Sequence, residues 1–210
     1  MRRIKLLPHN QEIVDKIEQA MVSGIRKIFY TEATGLGKSF VFMYLVNKYF
    51  KDKKVLYICP KYHIWKHINA CKEFGLISHC VDMACYADFN EIKGHHLDYD
   101  VYFIDEAHHL FSDIQGRNII TIINSLKNAY VFGMTATPFV NNRMVGEEFF
   151  DVSIEGKNLF DAIKAAVDGE FGEGLYENLL ICATHTHTGP RLSNPNGELD
   201  ELAQYAFDTV

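Results

Sequence analysis

No stretch of the 210 residues approaches the roughly 18 consecutive apolar residues of a membrane span. The opening MRRIKLLPHNQE also turns polar too soon for a secretory signal. No membrane association is expected, and the cytoplasm is the expected address. Cysteine is sparse: five residues, an odd number with no regular spacing, suit a reducing compartment better than a disulfide framework. Without a C-x-x-C pair, Cys59, His63, His67 and Cys71 make a poor zinc set, although the two histidines share a helix face. The single tryptophan, Trp65, sits in an amphipathic pattern and is expected in the core rather than stacked on a base. No internal repeat and no low-complexity tract is present. The net charge of −6 excludes a generic nucleic-acid coat.

The distribution of charge says more than its sum. Residues 1–80 hold 14 Lys/Arg and 6 Asp/Glu, whereas residues 81–210 hold 7 and 21. The basic half leaves room for anionic partners, unless the fold brings both halves together. At 48% hydrophobic, the chain can bury one substantial core, or one domain plus a tail.

Along the chain, apolar runs alternate with helical periodicity. IRKIFY (25–30), VLYIC (55–59), DVYFID (100–105) and AYVFGM (129–134) read as strands, with HCVDMACY (79–86) a weaker one. VFMYLVNKYF (41–50), HIWKHINACKEF (63–74) and RNIITIINSLK (117–127) read as helices. Such alternation means βαβ units and an α/β fold with a mainly parallel central sheet flanked by helices. The polar peculiarities TGLGKS, PKYH, DEAHH and TATP all fall where strands end, which is where such sheets carry function. From Asn141 the pattern loosens to one further helix, 158–168, a histidine pair in THTHTG (184–189) and a short acidic helix near the end.

TEATGLGKSF (31–40) stands between a strand and a helix. Gly35 and Gly37 allow the backbone to turn its N–H groups into one concavity, and the helix adds its positive end. Glu32, Ala33, Thr34, Gly35, Leu36, Gly37, Lys38 and Ser39 are thus expected to hold a nucleotide, with Lys38 on the β- and γ-phosphates and Ser39 on Mg²⁺. The strict pattern G-x-x-x-x-G-K-[ST] has glycine where this chain has Glu32. A second constellation closes DVYFID. Asp105 is expected to hold Mg²⁺, and Glu106 to orient and deprotonate the water that attacks the γ-phosphate, beside a phosphate loop on a neighbouring strand. Thr135 and Thr137 of MTATP could bond those acids from the next strand end.

ATGLGKS, ICPKYHIW, VYFIDEAHHL and VFGMTATP, in this order and spacing, resemble the first motor domain of superfamily 2 helicases and translocases of the DEAD/DEAH group, restriction-enzyme motor subunits included. The resemblance implies a RecA-like three-layer α/β domain over residues 1–170, followed by an extension or the start of a second domain over 171–210. It implies binding of ATP and Mg²⁺ and contact with nucleic acid, DNA ahead of RNA with both left open. It gives Lys38, Asp105 and Glu106 the catalytic roles, makes Ser39 and Asp105 the Mg²⁺ ligands, and assigns His108, Thr135, Ala136 and Thr137 to coupling hydrolysis with movement. Pro60 and Lys61 resemble the first strand-contacting segment, and ACYADF (84–89) a degenerate form of the next. In the adenine-reading segment LLPHNQ, Leu7 replaces an arginine, Asn10 stands at the glutamine position and Gln11 is one place along.

Two functional classes stay open on the sequence: an ATP-driven motor, and a nucleotide-binding switch or scaffold with little turnover. A phosphate-loop kinase is disfavoured by DEAHH and MTATP together. In the resemblance, a second RecA-like domain supplies arginines to the ATP site. Here only Arg143 and Arg191 follow Thr137, so a further domain or partner subunit is expected to complete the site.

Overall fold

A computed structural model describes residues 4, 6–33, 35–74, 80–91, 99–112, 114–126, 128–137, 139–140, 143–144 and 149–156. These fall in the first of two units into which the chain divides, Met1–Gly156. The helix expected at 158–168, the histidines of THTHTG, the acidic terminal helix and the domain boundary near 170 lie outside the described residues.

The chain runs α1 (Pro8–Val22), β1 (Lys27–Thr31), α2 (Lys38–Tyr49), β2 (Val55–Cys59), a 3₁₀ turn (Lys61–His63), α3 (Ile64–Phe74), β3 (Val81–Cys85), α4 (Tyr86–Glu91), β4 (Val101–Asp105), α5 (His109–Ser112), α6 (Ile114–Ser125), β5 (Tyr130–Thr135), a two-residue hairpin β6–β7 (Phe139–Val140, Arg143–Met144) and β8 (Val152–Glu155). Six strands form one sheet in the order β3-β2-β4-β5-β1-β8, with every pairing parallel. This is the parallel α/β sheet that the alternation of strands and helices implied, and it agrees with the RecA-like architecture that the resemblance implied.

Alternate strand residues enter two separate cores. Ile28, Tyr30, Val55, Tyr57, Val101, Phe103, Phe132 and Met134 pack with Ile13 and Ile17 of α1, Val41 and Leu45 of α2 and Cys71 of α3. Phe29, Leu56, Ile58, Tyr102, Ile104 and Val131 point the other way, onto Leu110, Ile119, Ile123, Phe149 and Phe150. Burial on both faces explains why these strands are near-continuous apolar runs. Each such side chain contributes roughly 1.5–3 kcal/mol on leaving water.

Gly133 sits opposite Phe29 on one neighbouring strand and Ile104 on the other. A Cβ there would run into the Phe150 ring and lie 3.0 Å from Phe29 Cδ2. The missing side chain is what lets Phe29 and Phe150 stack, at 5.1 Å between centroids, against the middle of the sheet.

Three features differ from the sequence expectation. The phosphate-loop strand β1 does not neighbour the acid strand β4; β5 lies between them. Apolar runs specify strands but not their order, which is set by how helices cover the faces. Trp65 is 70% exposed rather than buried. The inward face of α3 is carried by His67 and Cys71, which puts Trp65 on the wet side with Lys66, Lys72 and Glu73. β8 joins the sheet edge beside β1 where the sequence had shown only a loosening pattern.

Candidate nucleotide site

A parallel sheet delivers all its strand ends to one edge, and the residues singled out in the sequence gather there. The ends of β1, β5 and β4 are stitched by Glu32 N–H donating to Thr135 O at 3.1 Å and Ala107 N–H donating to Met134 O at 2.9 Å. The phosphate loop, the threonine run and the acid pair therefore form one frame.

The loop turns through two left-handed glycines, Gly35 (φ 86°) and Gly37 (φ 98°). Gly37 also has Asn10 against it: a Cβ would meet Asn10 Oδ1 at 2.9 Å. Asn10 is buried, and its amide N–H groups are shared among Leu36 O at 2.7 Å and both Glu32 carboxylate oxygens at 3.1 and 3.2 Å. His9 Nε2 lies 2.9 Å from Leu36 O and 3.6 Å from Glu32 Oε1. Glu32 thus occupies the departure from the strict glycine pattern as a buried brace. Burial pushes its pKa up to about 7, against the pull of Lys38 and the Asn10 hydrogen bond.

Asn10 and Gln11 were expected at the adenine edge. Their amides are engaged with the protein, Asn10 as above and Gln11 donating to Asp15 Oδ1 at 2.7 Å.

Lys38 opens α2 and folds back on the loop, its ammonium donating to Glu32 O at 2.9 Å and Ala33 O at 3.2 Å. Burial lowers its pKa, while Glu106, Asp105 and Glu32 each pull it back up. The lysine therefore feels both acids of β4 across the intervening strand. Backbone carbonyls are weak anchors for an ammonium compared with phosphate oxygens. Ser39 is half-buried in the first turn of α2. Thr34 lies outside the described residues.

Asp105 is buried at the end of β4. Burial alone would raise its pKa, yet the imidazoles of His63 and His67 hold the carboxyl well below the usual range, so it stands ionised. Oδ1 accepts the Glu106 N–H at 3.1 Å, and Oδ2 faces His67 Nε2 at 3.2 Å and His63 Nδ1 at 3.5 Å. An ionised carboxylate and a hydroxyl are the hard oxygen donors that Mg²⁺ takes. Asp105 and Ser39 fit it on that ground.

Glu106 is the only described non-glycine residue in the left-handed region, at φ 52°. Such backbone costs on the order of 1–3 kcal/mol and persists where the surroundings over-determine it. The restraints are visible: Tyr86 Oη donates to the carbonyls of Asp105 at 2.8 Å and Glu106 at 3.1 Å. Thr135 Oγ1 donates to Glu106 Oε2 at 3.1 Å, and His108 Nδ1 lies 3.3 Å from the same oxygen. Burial raises the Glu106 pKa, but the His108 hydrogen bond and the Lys38 charge outweigh it and keep the carboxylate ionised below its ordinary value.

His108 Nδ1 also contacts Thr135 Oγ1 at 2.9 Å and Thr137 Oγ1 at 3.2 Å, while Thr137 N–H donates to Thr135 Oγ1 at 3.1 Å. The acid, the histidine and both threonines form one network. Ala136 is half-buried between them, and Pro138 lies outside the described residues.

At the end of β2, Pro60 is buried and Lys61 exposed, with Tyr62 at 65% and Trp65 at 70% exposure beside Lys66. Sequence reasoning did not find Tyr86, the Glu32–Asn10–His9 brace or the approach of His63 and His67 to Asp105. Only Glu32 left a signal, as a charged residue where the loop pattern asks for glycine.

An all-parallel sheet with a glycine-turned loop, an acid pair and a threonine run along one edge fits a RecA-like α/β domain of the superfamily 2 helicase type, the class to which the family match below assigns it. More particularly, the sequence profile of the family described as type III restriction enzyme, res subunit, matches residues 3–94 and 80–140, and the chain belongs to that family. Among solved structures, the helicase domain of Pyrococcus furiosus Hef is similar, with a TM-score of 0.55 and 19% identity over 75% of this chain. This chain spans 38% of the length of that one. No curated protein matches. Among the described residues, no helix is long and apolar enough to cross a membrane.

Proposed function

We propose that this chain is the ATP-driven motor domain of a nucleic-acid helicase or translocase, DNA being the favoured track. The observation that carries the reading is the network joining Glu106 to Thr135, Thr137 and His108. It links the acid proposed as the base to the end of a neighbouring strand, which supports a mechanical outlet for a change at the phosphate.

In this reading ATP lies on the loop Glu32–Ser39. Lys38 exchanges its two carbonyl contacts for the β- and γ-phosphates. Asp105 and Ser39 would hold Mg²⁺, which would supply positive charge against the phosphate oxygens. Glu106, kept ionised, orients the attacking water and accepts its proton. Reading of the adenine edge by Asn10 or Gln11 requires release of their present hydrogen bonds. Lys61 contacts the nucleic-acid backbone, and the exposed Trp65 and Tyr62 offer rings on which bases stack.

Phosphoryl transfer to water also needs cations on the charge that develops, and an arginine from a facing domain is worth about 10³–10⁵ in rate. A second RecA-like domain or partner subunit is proposed to supply it. The ATPase rate of residues 1–210, with and without single-stranded and duplex DNA and RNA, tests the reading. Slow hydrolysis with little stimulation is expected. Brisk, nucleic-acid-stimulated turnover by a verified monomer would overturn the need for a second domain. ATP that binds but is never hydrolysed, at any protein concentration or with any nucleic acid, would refute the motor in favour of a switch module.

A further inference from the structure

The structure assigns a second chemistry to Asp105: we propose that His63, His67 and Asp105 form a two-histidine, one-carboxylate site for a first-row transition-metal ion, which competes with Mg²⁺ for that carboxylate. The donor atoms, one per residue, all lie within 4.8 Å of one another. His63 closes the 3₁₀ turn and His67 lies one turn into α3, so a spacing of four puts both rings on one face. Because β2 pairs with β4, the segment that follows β2 hangs its histidines over the end of β4.

Two local facts favour an ion over a purely structural cluster. His63 Nδ1 is shut off from solvent and makes no hydrogen bond. It stands 3.5 Å from Asp105 Oδ2, longer than the usual N–H···O range. His67 Nε2 lies 3.2 Å from the same oxygen and 3.3 Å from the buried Tyr57 hydroxyl, a contact it would exchange for an ion. Both imidazoles thus turn a nitrogen toward one carboxylate oxygen, and an ion taking all three donors would displace the protons that lie between them.

An ion about 2.1 Å from each donor on one side of it needs the donors roughly 3.0–3.5 Å apart. The two histidine–carboxylate distances, 3.2 and 3.5 Å, already meet this, and the remaining separation, no more than 4.8 Å, has to shorten. Three donors from one side leave the remaining positions to water or to a phosphate oxygen, the open facial arrangement used by non-haem metal sites. Imidazole nitrogen suits Mn²⁺ weakly and Co²⁺, Ni²⁺ or Zn²⁺ better, whereas Mg²⁺ keeps to oxygen and gives up its water reluctantly. The cysteines once paired with these histidines on sequence grounds take no part: Cys71 is packed in the core, and burial pushes the Cys59 thiol up to about 12.

The proposal is read without nucleotide, so it stands or falls separately from ATP hydrolysis. The tag-free, chelator-stripped full chain is titrated with Co²⁺ and with Mn²⁺ against excess Mg²⁺, following the Co²⁺ absorption bands and the Mn²⁺ electron paramagnetic resonance. One ion per chain is expected, with nitrogen coupling in the resonance signal and at least about tenfold preference for Co²⁺ over Mg²⁺. His63→Ala, at the more accessible ligand, should weaken binding by at least about tenfold, the lower end of what losing even an outer-sphere partner costs. Its fold is checked by circular dichroism, and Asp105→Asn serves as the second variant. Equal Co²⁺ affinity in folded His63→Ala, absence of nitrogen coupling, or no preference over Mg²⁺ would overturn the site.

Discussion

Replacing Glu32 by glutamine isolates the cost of holding a carboxylate under the phosphate loop. Its folded pKa of about 7 lies above the ordinary 4.5, because burial outweighs the help of Lys38 and Asn10. Below pH 4.5 both folded and unfolded chains carry the proton, and the group is neutral in the balance. Between 4.5 and 7 the unfolded chain releases the proton while the folded one retains it, so stability falls as pH rises. Above 7 the loss is complete. At about 1.4 kcal/mol per unit the ceiling is about 3 kcal/mol. The Glu32 side chain is shut off from solvent, but relaxation around a buried charge lowers its cost, and about half of that is expected. Glu32→Gln keeps an acceptor for the Asn10 amide and cannot ionise. Its advantage over the wild type should be near zero at pH 4.5 and grow to about 1.5 kcal/mol by pH 8. For a chain of this size that is about 3–6 °C in melting temperature. Paired chemical denaturation curves across pH 4.5 to 8 measure it, since titrating groups that do not touch Glu32 cancel between the two proteins. A constant difference across that range would refute the raised pKa and with it the buried-brace account of Glu32.

Glu106→Gln should leave ATP binding intact and lower any hydrolysis by about 10²–10⁴-fold, the usual worth of a general base; a variant that binds and turns over as fast as the wild type removes Glu106 from the mechanism. Gly133→Ala forces a methyl into the Phe29–Phe150 stack and should destabilise the fold by about 1–3 kcal/mol. An unchanged thermal unfolding curve would show that the ring pair can move aside.

Much of the sheet was legible because burial on both faces writes strands as unbroken apolar runs. VLYIC coincides with β2, and DVYFID and AYVFGM each lie within a residue of β4 and β5. β8 was not, since VSIE buries one residue well and leaves two exposed, an edge pattern too short to stand out. Strand order is absent from local sequence, which is why β5 was not expected between the loop and the acids. The same limit hid the residues that tune the site. Asn10 reaches Glu32 across 22 positions and His67 reaches Asp105 across 38, and no periodicity links them. Trp65 misled because one aromatic on an amphipathic helix usually faces inward, whereas here a histidine and a cysteine take that side.

The central claim is that the loop at residues 32–39 binds ATP through Lys38. Calorimetric titration of ATP with Mg²⁺ into the wild type and Lys38→Ala tests it most directly. Lys38 contacts two backbone carbonyls of the loop, and it is the cation proposed to take the phosphates. A charge-assisted contact of this kind is worth roughly 1.5–3 kcal/mol. The account predicts a loss of affinity of about ten- to a hundredfold in the variant, with the fold retained. Equal affinity in the two proteins would contradict it.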